Sequence, residues 1–161
     1  MTHAGGAGQR MLIEKLGAGH VRYVLVGGLA VAAHGYVRAT ADVDIVFSTD
    51  AESCGRLAAV LGELRAEVVL ADRPAPEEGI TGPWLAEGGH FRFGTEAGAL
   101  DALTTVAGFD YERLAASAIG VGIGAAVVAV CSLEDLLVMK AAGDRARDRA
   151  DIEELRRLHG D

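Results

Sequence analysis

Basic side chains are scarce in this chain: 15 Lys and Arg stand against 23 Asp and Glu, a formal net charge of −8. Proteins that coat nucleic acids draw their affinity from Lys and Arg, so this balance excludes a broad DNA-binding surface while leaving room for a local basic cleft. Cysteine is nearly missing. Cys54 and Cys131 lie far apart without metal-ligand spacing and are expected as buried small hydrophobes in a reducing compartment. Aromatic residues make up only 5%, so the core must come mainly from Val, Leu, Ile and Ala. No apolar run approaches the roughly 18 residues of a membrane span, and the start, Met1–Arg10, lacks the charged-then-apolar order of a signal peptide. The expectation is a soluble, cytoplasmic protein with no membrane partner.

What the chain does have suits one domain. Its 161 residues are 50% hydrophobic and 24% charged, enough for a sizeable core. Residues 1–8 read as a loose lead-in and no linker divides the remainder, so residues 1–161 are taken as a single domain. Apolar spacing predicts a helix over Gln9–Leu16, strands over Val21–Val26 and Ala41–Phe47, a helix from Ser48–Asp50 to Leu64, and a strand over Glu67–Leu70. Asp72–Gly89 holds all three prolines and the only tryptophan, and is read as an irregular loop or a turn-plus-hairpin region that shapes the side of the site where an acceptor would bind. Strand pairs are expected at His90–Phe93 with Ala99–Leu103 and at Gly120–Gly124 with Ala126–Val130. Helices are expected at Asp110–Ala116, at Ser132–Ala142 with Ser132 and Asp135 as a capping box, and from Arg145 to Leu158. The fold class is α/β (α+β): a mixed β-sheet with helices packed mainly on one face and two C-terminal helices.

The most informative stretch is Val24–Ser48. An apolar run leads to Gly27-Gly28, then a short Ala-rich helix, then a second apolar run holding Asp42 and Asp44. Alternate residues of a strand share a face, so these two carboxylates would stand together. Such a pair is costly unless a cation sits between them or one is protonated. A third carboxylate, Asp101, interrupts the apolar run Ala99–Leu103, where an uncompensated charge would also be costly; its alternative is pairing with Arg92 or solvent. Three carboxylates suit Mg²⁺, with Mn²⁺ as a substitute, and two such ions can stabilise both oxygens of a displacement at phosphorus. Gly27 and Gly28 follow a strand and open a helix, a geometry in which backbone N–H groups can face phosphate.

This order resembles the nucleotidyltransferase superfamily with the polymerase-β-type fold. It is closest to small bacterial nucleotidyltransferases and the toxins of abortive-infection toxin–antitoxin pairs. The carrying residues are Gly27-Gly28-Leu29-Ala30, His34-Gly35, Arg38-Ala39-Thr40, Asp42-Val43-Asp44, and Leu133-Glu134-Asp135-Leu136 with Lys140. The group's Gly-Arg-x-Lys-Asp motif is altered here to Gly143-Asp144-Arg145-Ala146-Arg147-Asp148. The resemblance implies an enzyme that moves a nucleoside monophosphate from an NTP, such as ATP, to a hydroxyl of an RNA, a protein or a small molecule, with a cognate antitoxin as partner if it is a toxin. Asp42, Asp44 and Asp101 would bind metal, and Asp101 would help deprotonate the acceptor. Gly27 and Gly28 would hold the triphosphate. The alternative is a catalytically silent interaction module of the same fold.

Remaining candidates rest on their own spacing. Lys140 shares a helix face with Leu133, Leu136 and Leu137, and is expected to reach cleft phosphate rather than snorkel outward. Arg38, just before the carboxylate strand, is placed to meet phosphate or Asp42, with an ordinary surface arginine as the alternative. His34 reads as a structural histidine near the turn. Arg147–Asp151 and Glu153–Arg157 read as surface ion pairs one helical turn apart.

Overall fold

The computed structural model describes residues 6–160. The elements run α1 (Ala7–Ala18), β1 (Tyr23–Val26), α2 (Gly27–Ala33), β2 (Val43–Phe47), α3 (Ala51–Glu63), β3 (Glu67–Ala71), α4 (Gly82–Ala86), β4 (His90–Thr95), β5 (Gly98–Leu103), β6 (Thr105–Val106), β7 (Phe109–Asp110), α5 (Tyr111–Ser117), β8 (Ile119–Ile123), β9 (Ala126–Val130), α6 (Leu133–Gly143) and α7 (Ala146–His159). Seven strands form one mixed sheet in the order β3-β4-β5-β2-β1-β9-β8, and β6 and β7 pair separately. The inner neighbours β2–β5 and β1–β9 are parallel, while β1–β2, β4–β5, β3–β4 and β8–β9 are antiparallel.

Strand alternation sorts the side chains. Val43 and Ile45 of β2, Leu100 and Ala102 of β5, and Phe91 and Phe93 of β4 are all fully buried. The residues between them, Asp44, Asp101 and Arg92, stand on the other face. Leu12, Ile13 and Leu16 of α1 and Leu57 and Leu61 of α3 complete the core as buried helix stripes. Asp50 caps α3 through the N–H of Glu52, and Ser132 caps α6 through the N–H of Asp135.

Several boundaries differ from the sequence reading. The loose lead-in lies outside the described residues for 1–5, but Ala7 and Gly8 are already helical. Gly27 and Gly28 are the first two residues of α2, directly after β1. β2 begins at Val43, because pairing with β5 starts at Leu100, so Asp42 precedes the strand. The Asp135 carboxylate does not turn back to its own helix end; it takes hydrogen bonds from Arg113 (3.0 and 3.1 Å) and Ser117 (2.6 Å).

The loop Asp72–Gly89 is a more substantial correction. It contains α4, capped by Thr81 and carrying Pro83 in its first turn. Trp84 is 4% exposed and packs edge-on to Phe91 at 4.9 Å, with the Arg73 guanidinium over both rings. The segment is an outer piece of the core, and none of its residues lines the cleft described below.

Candidate functional site

Asp44 of β2 stands directly across from Asp101 of β5 and, on its other side, across from Val26 of β1. Asp42 enters from the residue before β2. One carboxylate oxygen from each of Asp42, Asp44 and Asp101 lies within 4.8 Å of the other two. The backbone of α2 closes against this group. Gly27 adopts φ +69°, and a Cβ there would collide with the Asp44 carboxylate. Only glycine combines that left-handed backbone with so close an approach. A Cβ on Gly28 would meet Thr40 Oγ1 at 2.5 Å.

Burial, followed by the nearby Asp101 and Asp42 carboxylates, pushes the Asp44 carboxyl from 3.8 up to about 7. Lys140 pulls in the opposite direction and is outweighed. The cluster therefore carries more negative charge than its surroundings neutralise. Arg92, opposite Asp101 on β4, supplies part of the missing charge. Its Nη1 donates to Asp101 Oδ2 (2.8 Å) and Asp42 Oδ2 (3.1 Å), and its Nη2 donates to Asp42 Oδ1 (3.2 Å). Asp101 Oδ1 is buried without a hydrogen-bond partner among the described residues, with His90 Nε2 at 3.5 Å. Three hard carboxylate donors, one with an orphaned oxygen, are a set that could hold a divalent cation of the Mg²⁺ or Mn²⁺ kind.

A second charged group forms the facing wall, where α6 meets α7. Lys140 is 7% exposed and pairs with Asp148 (3.3 Å) and Asp151 (3.0 Å). Arg38 forks onto Asp151, with Nε to Oδ1 and Nη2 to Oδ2 both at 2.7 Å. Arg145 pairs with Asp148 at 2.9 Å. Burial alone would push the Asp148 carboxyl up, but hydrogen bonds from Arg145 and the Lys140 ammonium hold it at about 2. Asp151 is likewise lowered, against its burial, by Arg38 and Lys140.

Between the two groups lies a cleft of about 540 Å³. Gly27, Gly28, Arg38, Asp42, Asp44, Asp101 and Lys140 all line it, together with the apolar Leu103, Val106, Leu136 and Met139. Arg38 and Lys140 meet it as cations already tied to Asp151, which the sequence reading did not foresee. The surface pair Arg147–Asp151 does not form, since Asp151 is fully buried and turned toward Arg38 and Lys140. Arg157 pairs with Glu154, not Glu153. His34 Nε2 lies 2.8 Å from the Cys131 carbonyl, a bridge from α2 to the end of β9.

Asp148, Asp151 and the bridging role of Arg92 are the site residues that sequence reasoning missed. Asp148, Asp151 and Leu155 recur at i, i+3 and i+7, which marks the inward stripe of α7. The β4–β5 hairpin, paired from Thr95↔Gly98 outward, fixes Arg92 opposite Asp101.

The family described as "Nucleotidyltransferase of unknown function (DUF6036)" matches residues 12–158, nearly the whole chain. The chain belongs to this nucleotidyltransferase family. Among solved structures, the lincosamide antibiotic adenylyltransferase LnuA, lincomycin-bound, superposes with a TM-score of 0.63 at 17% identity, over 94% of this chain and 96% of that one. The antibiotic-resistance factor ANT(2'')-Ia in solution gives a TM-score of 0.58 at 17% identity, over 93% and 83%. At that identity the likeness is one of fold. No curated protein matches the chain.

Proposed function

We propose that this nucleotidyltransferase moves a nucleoside monophosphate, with ATP as the leading donor, to a hydroxyl of a small-molecule acceptor in a Mg²⁺-dependent reaction. The observation that carries the reading is the convergence of Asp42, Asp44 and Asp101 within 4.8 Å at one side of a cleft whose other wall presents Lys140 and Arg38. In this reading the acceptor oxygen forms a bond to the α-phosphorus, the bond to the β-phosphate breaks, and pyrophosphate leaves. A bound divalent cation supplies positive charge to the triphosphate and to the attacking oxygen. Asp42, Asp44 and Asp101 would hold that cation, and Asp101, through its Oδ1, would take the acceptor proton. Lys140 and Arg38 face the triphosphate while Asp151 and Asp148 keep them in place. Gly27 and Gly28 let the α2 backbone come close to phosphate.

The small-molecule acceptor is favoured because LnuA, a fold relative covered over 96% of its length, is a lincosamide antibiotic adenylyltransferase seen with lincomycin bound. A toxin acting on RNA or protein, restrained by an antitoxin, would use the same chemistry. The test incubates the protein with each labelled NTP, Mg²⁺ and a cell extract resolved into small-molecule, RNA and protein fractions. Label is expected in the small-molecule fraction, and the double change Asp42→Ala with Asp44→Ala is expected to abolish it. Transfer that persists in the double variant refutes the metal role, and no transfer to any fraction refutes the enzyme reading.

A further inference from the structure

Arg92 bridges two of the three clustered carboxylates and has no part in the chemistry proposed above. Arg92 lies opposite Asp101 across the β4–β5 pair, and Asp101 lies opposite Asp44 across β5–β2. Arg92, Asp101 and Asp44 thus form a cross-strand row on one face of the sheet. The guanidinium spans the gap between Asp101 and Asp42 and engages both oxygens of Asp42. Asp101 keeps one oxygen uncommitted, and Arg92 makes no hydrogen bond to Asp44. Asp42 alone has both oxygens engaged by the guanidinium, whose positive charge lies between Asp42 and Asp101 and repels any cation entering there.

We infer that Arg92 is a built-in counter-cation that occupies the Asp42–Asp101 gap before loading and is displaced from Asp42 when a divalent cation binds; this rests on the metal reading above. Several features suit the exchange. The Arg92 side chain is 35% exposed, so it can leave toward solvent without opening the core. Its strand is anchored on the opposite face by Phe91 and Phe93, both fully buried, so movement of the side chain does not require movement of β4. Before a cation binds, a monovalent guanidinium holds together carboxylates that mutual repulsion would otherwise splay. A divalent ion offers twice the charge in a smaller volume and wins the exchange. Arg92 is on this account a positioning residue that sets metal affinity. The contrasting possibility is a permanent brace, and it predicts the opposite sign, because loss of a brace loosens the ligands and weakens metal binding.

The test is Mn²⁺ titration of the metal-free full chain without nucleotide, read by electron paramagnetic resonance of free Mn²⁺, with circular dichroism confirming the fold of each variant. Arg92→Gln is expected to bind Mn²⁺ about tenfold more tightly than the parent, the scale of one charge-assisted hydrogen bond that no longer has to be broken. Arg92→Lys keeps the charge but not the fork and is expected to fall between them; it carries the test alone if the Gln variant does not fold. Asp42→Asn is expected to weaken binding at least tenfold. Unchanged or weaker binding in the Arg92 variants, with Asp42→Asn still weakened, overturns the inference while the metal site stands. No Mn²⁺ binding by the parent or any variant overturns both.

Discussion

A carboxyl raised to about 7 makes the metal-free protein sensitive to pH in a range where ordinary Asp residues are silent. Asp44 is partly buried beside Asp101 and Asp42, and its value rises from 3.8 to about 7. Between those two values the folded chain keeps a proton that the unfolded chain has released. The stability associated with this group is therefore complete below about pH 4, falls as pH rises, and is lost by the time pH passes about 7. At about 1.36 kcal/mol per pH unit, the rise from 3.8 to about 7 corresponds to a loss of up to about 4 kcal/mol. For a chain of this size that is roughly 10 °C in Tm. Asp44→Asn removes the titrating group and keeps the shape. In EDTA, calorimetric scans from pH 4.5 to 8 should show the parent losing stability relative to Asp44→Asn, with the variant ahead above pH 7. Saturating Mg²⁺ should flatten the difference, because a cation bound to the ionised cluster removes the cost of its charge. Parallel curves for parent and variant in EDTA would refute the reasoning, since every other titrating group is common to both.

Two further substitutions probe the walls of the cleft. Gly27→Ala places a methyl against the Asp44 carboxylate at a left-handed backbone position. It should cost about 1–2 kcal/mol from the backbone alone and weaken Mn²⁺ binding at least tenfold; a variant with parental affinity would show that Asp44 is not held where a cation needs it. Asp151→Asn removes the fully buried partner of both Arg38 and Lys140 and should destabilise the protein by about 3 kcal/mol in urea unfolding. A loss under about 1 kcal/mol would mean that the two cations find other partners.

Most of the strand and helix order of this chain was legible because local signals agreed with each other, while the two-residue strands β6 and β7 were not read. Apolar alternation marked β2 and β5, caps marked α3 and α6, and Gly27-Gly28 marked the join between β1 and α2. The loop Asp72–Gly89 was not, because its three prolines and several acids look like surface while Trp84 and Arg73 are recruited to Phe91 by packing with no local trace. The partners of Arg38 and Lys140 were also invisible. Asp151 lies 113 residues from Arg38 in the chain, and on α7 alone its natural mate is Arg147, one turn away.

The sequence by itself determined which groups can ionise and which face of each element must be buried, since both follow from residue type and from periods of two or 3.6. It therefore determined that Asp42, Asp44 and Asp101 needed something to offset them. Which side chains offset them was decided only by the tertiary structure. The β2–β5 and β4–β5 registers bring Asp44, Asp101 and Arg92 into one row, and the docking of α7 lends Asp148 and Asp151 to the opposite wall. Coulomb interactions depend on distances of a few ångströms across the chain, and folding alone sets those distances.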